Sequence, residues 1–429
     1  MTTATGRRRT AVAILVAAFA LRAIVGLAVN VEEDGRLRGF HIYRAMARNI
    51  VDGEGAYFHF YFGLGDRWAN RPPGYPLMLA GLRAVFGTAE WPILVVQSAL
   101  GALTVLGMMA IARRFGGDRA ALLAGVVGAL YPYSIANDTS LVEQPLYVAL
   151  ATAFAALALR ARDRLGTAAG PPWRSAVALG ALAGLTSLTR ETFNVFLPLF
   201  CLWVLFGWPR PAFRQRVAWC ALFTMTFLVV CSPWLVRNQR RFGVPAFSFA
   251  AGKSLWVGNN EHTFEHYPER SIDDSEKAAW EAILREQPEL AREILDLRHD
   301  ERLQDAKFGE LGAAYVREDP VRFVVAGLAK VAALFAPWLV PRSDFLKELG
   351  YSLSYGPVLI LALLAPFVLD RRWRPLLVFT TLGLASVSVV AFAFWGQTRL
   401  RASFDGLLIV IAVGVVSRWW AARAARSSG

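Results

Sequence analysis

The sequence predicts an all-α polytopic membrane protein with about ten transmembrane helices, and three observations carry that reading. Of its 429 residues, 55% are hydrophobic and 18% charged, where a soluble domain would carry about 25% charged residues. Apolar runs of roughly 20 residues recur from Thr10 to Trp420, the length that crosses a bilayer core of about 30 Å. Short arginine clusters separate the runs in a pattern that one orientation explains. This composition excludes a disordered chain, a coiled coil and almost any soluble enzyme.

Arg7-Arg8-Arg9 precede the first span, residues 10–29. It resembles a signal peptide but is followed by many more spans, and so reads as a retained anchor. Further spans are expected at 91–112, 119–136, 141–159, 175–188, 192–206, 215–235, 352–369, 375–394 and 404–416. With both ends inside, the arginine clusters at 113–114, 160–164, 210–216, 370–374 and 418–426 all fall on the cytoplasmic side. Residues 321–340 are apolar enough to span, but counting them would reverse the 371–374 cluster, so they are expected to lie at the interface or re-enter. Residues 76–86 are too short to cross.

Three regions follow: an N-terminal transmembrane module, 1–236, with an external loop at 30–90; a polar external segment, 237–319, mostly helical by pattern; and a C-terminal part, 320–429. The external segment explains the charge. Residues 261–319 hold 17 acids and 8 bases, net −9, against +13 for the whole chain, so the remainder carries +22. No basic face with interleaved aromatics appears outside the spans, so nucleic acid is not an expected partner. Cys201, Cys220 and Cys231 lie in apolar runs and imply neither a disulfide framework nor a zinc site.

Several polar residues are not explained by membrane insertion. Glu32-Glu33-Asp34 lie just beyond the first span. They read either as a solvated helix end or as a general base or ligand for a hard cation. In Asn70-Arg71-Pro72-Pro73-Gly74-Tyr75-Pro76, three prolines and a glycine fix the backbone, making either a plain turn or a shelf that presents Arg71 and Tyr75. Glu143, at the outer end of a span, is costly unless it faces a polar cavity. Arg190-Glu191 sit at an outer turn, as an internal ion pair or part of a site, and Arg22 lies inside the first span without an evident partner.

Pro233-Trp234-Leu235-Val236-Arg237-Asn238 and the Gln397, Arg399, Arg401 group place arginines on the outer side, against the orientation trend. Guanidinium forks match phosphate, so two such clusters suggest a lipid-linked phosphate; ordinary anionic headgroups are the alternative. Residues 252–260 read as a short strand closing on a Gly-Asn-Asn turn. His262 and His266 are four apart in a proline-flanked loop and read as hydrogen-bonded rather than metal-ligating.

Taken together, the chain resembles the bacterial family-39-type glycosyltransferases of the GT-C class, relatives of protein O-mannosyltransferases and lipid A aminoarabinose transferases. The matching pieces run in family order over nearly the whole chain. They are Tyr43 with Ala47-Arg48-Asn49-Ile50 and Gly53-Glu54-Gly55, Arg71 to Pro76, Ser140-Leu141-Val142-Glu143, Leu188-Thr189-Arg190-Glu191, Pro233 to Asn238, Leu255 to Asn260, and Thr398 to Arg401. The resemblance implies a GT-C-type bundle with extracytoplasmic loop helices in the bacterial inner membrane. It also implies a polyprenyl-phosphate sugar donor, an extracytoplasmic acceptor and transfer with inversion.

On that resemblance Asp34 and Glu33 are the expected catalytic acids, with Glu143 orienting the base or acceptor. Arg71, Arg190, Arg237, Arg399 and Arg401 would contact the donor phosphate, and Tyr43, Tyr75, Trp234 and Asn238 would shape the lipid groove. Relatives usually carry an Asp four residues before the first-loop tyrosine; here that position is Gly39. Either Asp34 with Glu33 has taken over as base or the chain is an inactive homologue. The residues name no cofactor, and a divalent cation stays open because metal use varies within the class. A flippase of lipid-linked saccharide is the rival from another class, but it should show repeated halves, broken helices near the midplane and charges along a pathway; no repeat is seen, and apart from Arg22 the charges gather at the outer ends of spans.

Overall fold

A backbone in lipid must satisfy its own hydrogen bonds, which leaves helices as the way to build these apolar runs. The computed structural model describes residues 4–32, 36–164 and 173–427 and is all-α apart from one two-residue hairpin, Phe58–His59 against Asp66–Arg67. Among the described residues seven helices are long and apolar enough to cross a membrane: Gly6–Val29, Trp91–Leu130, Gln144–Arg164, Phe213–Phe242, Phe345–Val368, Arg371–Ala393 and Thr398–Arg423. The three other expected spans are built from shorter pieces. Trp173–Thr189 is one, and the succession Glu191–Val195, Phe196–Leu202 and Trp203–Gly207 is another.

The third is hidden inside Trp91–Leu130. At Gly117 the backbone leaves the helix (φ 76°, ψ −169°), a conformation that a residue with a Cβ rarely adopts. Residues 118–130 then fold back along 91–116, with Gly125 facing Met109 and Gly128 facing Met108 closely enough that a Cβ would sit 2.8 and 2.7 Å from those side chains. Small residues here let two helices approach closely, as they do in membranes generally. The chain breaks again at Tyr131 and continues as Pro132–Asp138.

Arg22 finds its partner in that short helix. Its Nε lies 2.6 Å from Asp138 Oδ2, and the rest of its fork donates to the Ala18, Ala129 and Gly128 carbonyls. A Cβ on Gly101 would lie 2.4 Å from both charged groups, so this glycine makes the space for the ion pair. Buried charge inside a span is tolerated when paired and hydrogen-bonded in this way.

Helix Thr398–Ser427 is the central stave. Its apolar window is 89% buried, against 22–56% for the other six spanning helices. A knot of aromatic rings holds its flank: Phe196 is 5.2 Å from Phe379 and 6.0 Å from Phe404.

Two groups of small elements lie beside the bundle. The first is helix His41–Val51, the hairpin and helix Gly74–Phe86. The second is the series Ala251–Gly258, Thr263–His266, Ile272–Glu286, Pro288–Asp296 and Glu301–Glu318. The strand expected at 252–260 is therefore a helix. Gly252 and Gly312 bring it against Glu301–Glu318, where a Cβ on Gly252 would lie 1.9 Å from the Asp305 carbonyl oxygen. Asp305 accepts from the Gly252 and Lys253 amides and so caps the helix start. The ambiguous apolar segment forms a helix of 15 residues, Pro320–Leu334, packed through Gly327 onto Phe392 at the end of Arg374–Ala393.

Candidate active site

Glu143 is the focus. It precedes helix Gln144–Arg164, whose positive N-terminal end favours a carboxylate, and it is 5% exposed. Four segments from distant sequence meet it. Tyr43, on His41–Val51, donates its phenol hydrogen to Glu143 Oε2 at 3.0 Å. Arg190 Nη1 stands 3.5 Å from Oε1. Arg71 and Arg399 are close enough to act on its charge. Burial pushes the Glu143 carboxyl up, but the guanidiniums of Arg399, Arg190 and Arg71 together outweigh it and hold the group below its ordinary value.

Local structure explains why these residues meet. Residues 31 and 37 pair, and the Arg38 amide donates to the Asn30 carbonyl at 2.8 Å. The chain then lies alongside Leu141: the Leu141 amide donates to the Arg38 carbonyl (2.7 Å) and the Phe40 amide to the Leu141 carbonyl (3.0 Å). Gly39 sits at this contact with φ +149°, and a Cβ there would be 2.4 Å from the Leu141 oxygen. The position where relatives carry Asp is here a point of backbone-on-backbone contact. That contact seats Tyr43 on Glu143, two residues beyond Leu141.

The proline shelf does the same for Arg71. Gly74 lies against the end of Trp173–Thr189, where a Cβ would be 2.7 Å from the Leu188 carbonyl oxygen, so the shelf abuts the turn that carries Arg190. Tyr75 is fully enclosed; it donates to Gln97 Oε1 at 2.6 Å and packs edge-on against Tyr43 with ring centroids 5.0 Å apart. Arg190 lies over the Tyr147 ring and Arg399 over Phe40, at 5.7 and 4.7 Å.

The charge balance is uneven. Three guanidiniums gather at Glu143, and Glu191 also acts on Arg71, so positive charge still exceeds negative by one. Arg71 Nε, Arg190 Nη1 and Arg399 Nε are buried with no hydrogen-bond partner among the described residues, and the neighbouring Gln144 Oε1 likewise lacks a donor. Buried donors without acceptors cost free energy; here several lie close together, an arrangement that suits an anion. A divalent cation does not fit these residues, because the guanidiniums outnumber the carboxylates. Among the described residues no group of three His, Cys, Asp or Glu could hold a metal. His262 instead bonds Glu265 at 2.8 Å.

Of the residues expected to act, the structure brings together Glu143, Arg71, Arg190, Arg399, Tyr43 and Tyr75. Glu33 and Asp34 lie outside the described residues. Arg237, Trp234 and Asn238 form a different cluster. Arg237 donates to the Trp68 carbonyl (3.0 Å) and to Asn238 Oδ1 (2.6 Å) and lies 4.6 Å from the Trp234 ring. Trp234 and Asn238 in turn donate to the Phe247 and Ala246 carbonyls, holding loop 244–249.

Arg401 points elsewhere again. It is fully enclosed, paired with Asp405 (2.8 Å), bonded to the Leu334 carbonyl and Tyr351 hydroxyl (both 2.6 Å) and stacked on Tyr355. Asp405, four residues on, is the sequence signal that identifies this pairing. Tyr147 and Gln144 were not expected at the site. Their place on the first turn of the helix after Glu143 is the signal that could have found them.

Residues 70–236 match the family model described as dolichyl-phosphate-mannose-protein mannosyltransferase. No curated protein sequence matches the chain. Among solved structures, the Archaeoglobus fulgidus oligosaccharyltransferase AglB, in complex with an inhibitory peptide and a dolichol-phosphate, is similar with a TM-score of 0.56 at 15% identity, over 98% of this chain and 52% of that one. The oligosaccharyltransferase of the same organism tethered with an acceptor peptide gives 0.53 at 14%, over 94% and 49%. ArnT from Cupriavidus metallidurans bound to undecaprenyl phosphate gives 0.43 at 18%, over 99% and 79%. The chain spans about half the length of the archaeal structures it matches. At these identities the likeness shows the fold: this is an integral membrane protein with the GT-C architecture.

Proposed function

We propose that the chain is a membrane glycosyltransferase that moves a sugar from a polyprenyl-phosphate donor to a hydroxyl-bearing acceptor on the extracytoplasmic face of a bacterial inner membrane, with inversion. The observation that carries this reading is the excess of positive charge around Glu143, with buried guanidinium nitrogens of Arg71 and Arg399 left without hydrogen-bond partners among the described residues. The matched family model is named for a dolichyl-phosphate sugar, and one similar structure holds a dolichol-phosphate, which supports the same ligand chemistry here. The arginine-rich ends of the spanning helices gather at the opposite end from Glu143, which supports an outward-facing site.

In this reaction a carboxylate takes the acceptor hydroxyl proton and the oxygen attacks the anomeric carbon from the side opposite the phosphate. The bond from that carbon to the phosphate oxygen breaks, and polyprenyl phosphate leaves with the added negative charge. Arg71, Arg190 and Arg399 stabilise that charge, and fixed guanidiniums in a shielded site need no rearrangement as it develops. Glu143, already engaged by them and by Tyr43, holds the arginines in place and is a poor base. The base is assigned to Asp34, with Glu33 beside it. Arg237 and Arg401 are assigned supporting roles in the fold around the site.

The test is turnover in nanodiscs with a panel of radiolabelled polyprenyl-phosphate sugars and membrane extract as acceptor. Transfer by the wild type that disappears in Asp34→Asn, with donor binding retained, is the expected result. Donor binding without transfer to any component of the extract, in wild type and variants alike, would overturn the enzyme reading.

A further inference from the structure

The end of the bundle away from Glu143 carries a second basic cavity. Glu143 and Arg162 bracket one helix, so the two places are about 28 Å apart at 1.5 Å per residue. The cavity encloses about 550 Å³ and is lined by Arg114, Arg162, Arg371, Arg372 and Arg374, with Asp163 as its one acidic group. Phe115, Trp203 and Phe206 complete part of the wall. Arginine near a membrane surface often serves only to fix orientation, but such residues would be solvated and separate. Here three chain segments bring five guanidiniums to one space.

The arrangement is also held in place. Trp373 is 2% exposed and packs 5.5 Å from Phe115, and a Cβ on Gly414 would lie 2.5 Å from its ring. That anchor fixes the turn Arg371–Trp373, and with it the arginines on either side. Asp163 pairs with both Arg114 and Arg162, and Asp370 with Arg372. The Nε atoms of Arg114 and Arg162 are nevertheless buried with no hydrogen-bond partner among the described residues. On its apolar side the cavity reaches Phe206, 72% exposed, which with the exposed Phe213 ring 6.1 Å away forms an apolar surface.

We propose that this cavity binds the phosphate headgroup of an anionic phospholipid, with the acyl chains running out past Phe206. The excess positive charge and the donors without acceptors call for phosphate oxygens; an opening onto apolar surface calls for a phosphate that carries hydrocarbon. This site is separate from the Glu143 site and does not depend on the reaction assigned there.

The test uses native mass spectrometry of the full chain released from nanodiscs of phosphatidylglycerol and phosphatidylcholine, with a parallel titration by inorganic phosphate. The variants are the exposed pair Arg371→Gln with Arg374→Gln, and separately Asp163→Asn. Wild type should retain phosphatidylglycerol selectively, the arginine pair should retain it about tenfold less or worse, and Asp163→Asn should retain more, because the competing carboxylate is gone. Equal retention by wild type and the arginine variant would overturn the proposal. So would displacement by inorganic phosphate with no lipid held, which would make the ligand a free anion. Opposite responses of the two variants exclude a simple loss of folding as the cause.

Discussion

Replacing Glu143 with Gln separates its role in holding the arginines from any role in chemistry. Glutamine keeps the shape and an acceptor for the Tyr43 hydroxyl but removes the negative charge shared by Arg71, Arg190 and Arg399. At the 3.5 Å of the Arg190 pair, the attraction lost is about 5 kcal/mol at an effective dielectric of 20. Part of that only offsets desolvation, and removing one partner of a buried ion pair costs about 3–5 kcal/mol net. The lipid-free variant should therefore melt well below wild type.

A bound phosphate should restore what was removed, since it supplies the missing negative charge to the same guanidiniums. A ligand at a hundred times its Kd adds about 2.7 kcal/mol, and the gain should be larger in Glu143→Gln, where no carboxylate competes. The assay is thermal unfolding in detergent with and without polyprenyl phosphate. Acid supplies a second arm. The folded carboxyl is held below its ordinary value, so its charge contributes stability above the unfolded-state pKa, about 4.3. That contribution is lost as pH falls through the lower folded value, and wild type should converge on the variant there. A variant as stable as wild type, or one that polyprenyl phosphate stabilises no more than wild type, would refute the reasoning.

Arg399→Gln should weaken donor binding by about 1.5–3 kcal/mol, the worth of one charged hydrogen bond, while leaving the protein monodisperse on size exclusion. Arg401→Gln should do the reverse: it strands Asp405 without its partner and should cost about 3–5 kcal/mol of stability, seen as aggregation before any donor measurement. Gly39→Ala should loosen residues 37–43 in hydrogen exchange and abolish transfer, because its Cβ collides with the Leu141 backbone; unaltered protection would contradict that account. Tyr43→Phe removes a single hydrogen bond to Glu143 and should lower stability by about 1 kcal/mol, measurable as a small fall in melting temperature.

Much of this architecture is legible in hydropathy because lipid leaves a chain few choices. The helical hairpin at Gly117 shows it well: a pair of arginines between two apolar runs marks the reversal even though the helical hydrogen bonding is almost continuous. Arg71, Arg399 and Glu143 stand out for the same reason, as charges at span ends with no local counterpart. What one sequence does not reveal is which charge meets which. Arg399 and Arg401 are two residues apart and look equivalent, yet their side chains leave the helix about 200° apart, one toward Glu143 and the other toward Asp405. Residues 252–260 misled because the reason they are helical is a glycine contact with Glu301–Glu318, some fifty residues away. Gly39 looked like the loss of a functional group; its backbone contact with Leu141 gives it a steric role.

Helix Thr398–Ser427 follows in the chain every helix it packs against, and it is the one they all surround. Each earlier helix must therefore enter the lipid with its inner flank lacking its final neighbour, and wait. Until this stave arrives the bundle holds an unfilled slot, and the Glu143 pocket lacks Arg399. Synthesis and competence are thus coupled: a chain halted near residue 397 can insert but cannot complete the phosphate pocket. A cell that clears unfinished membrane proteins has in that open slot a ready mark of an unfinished one.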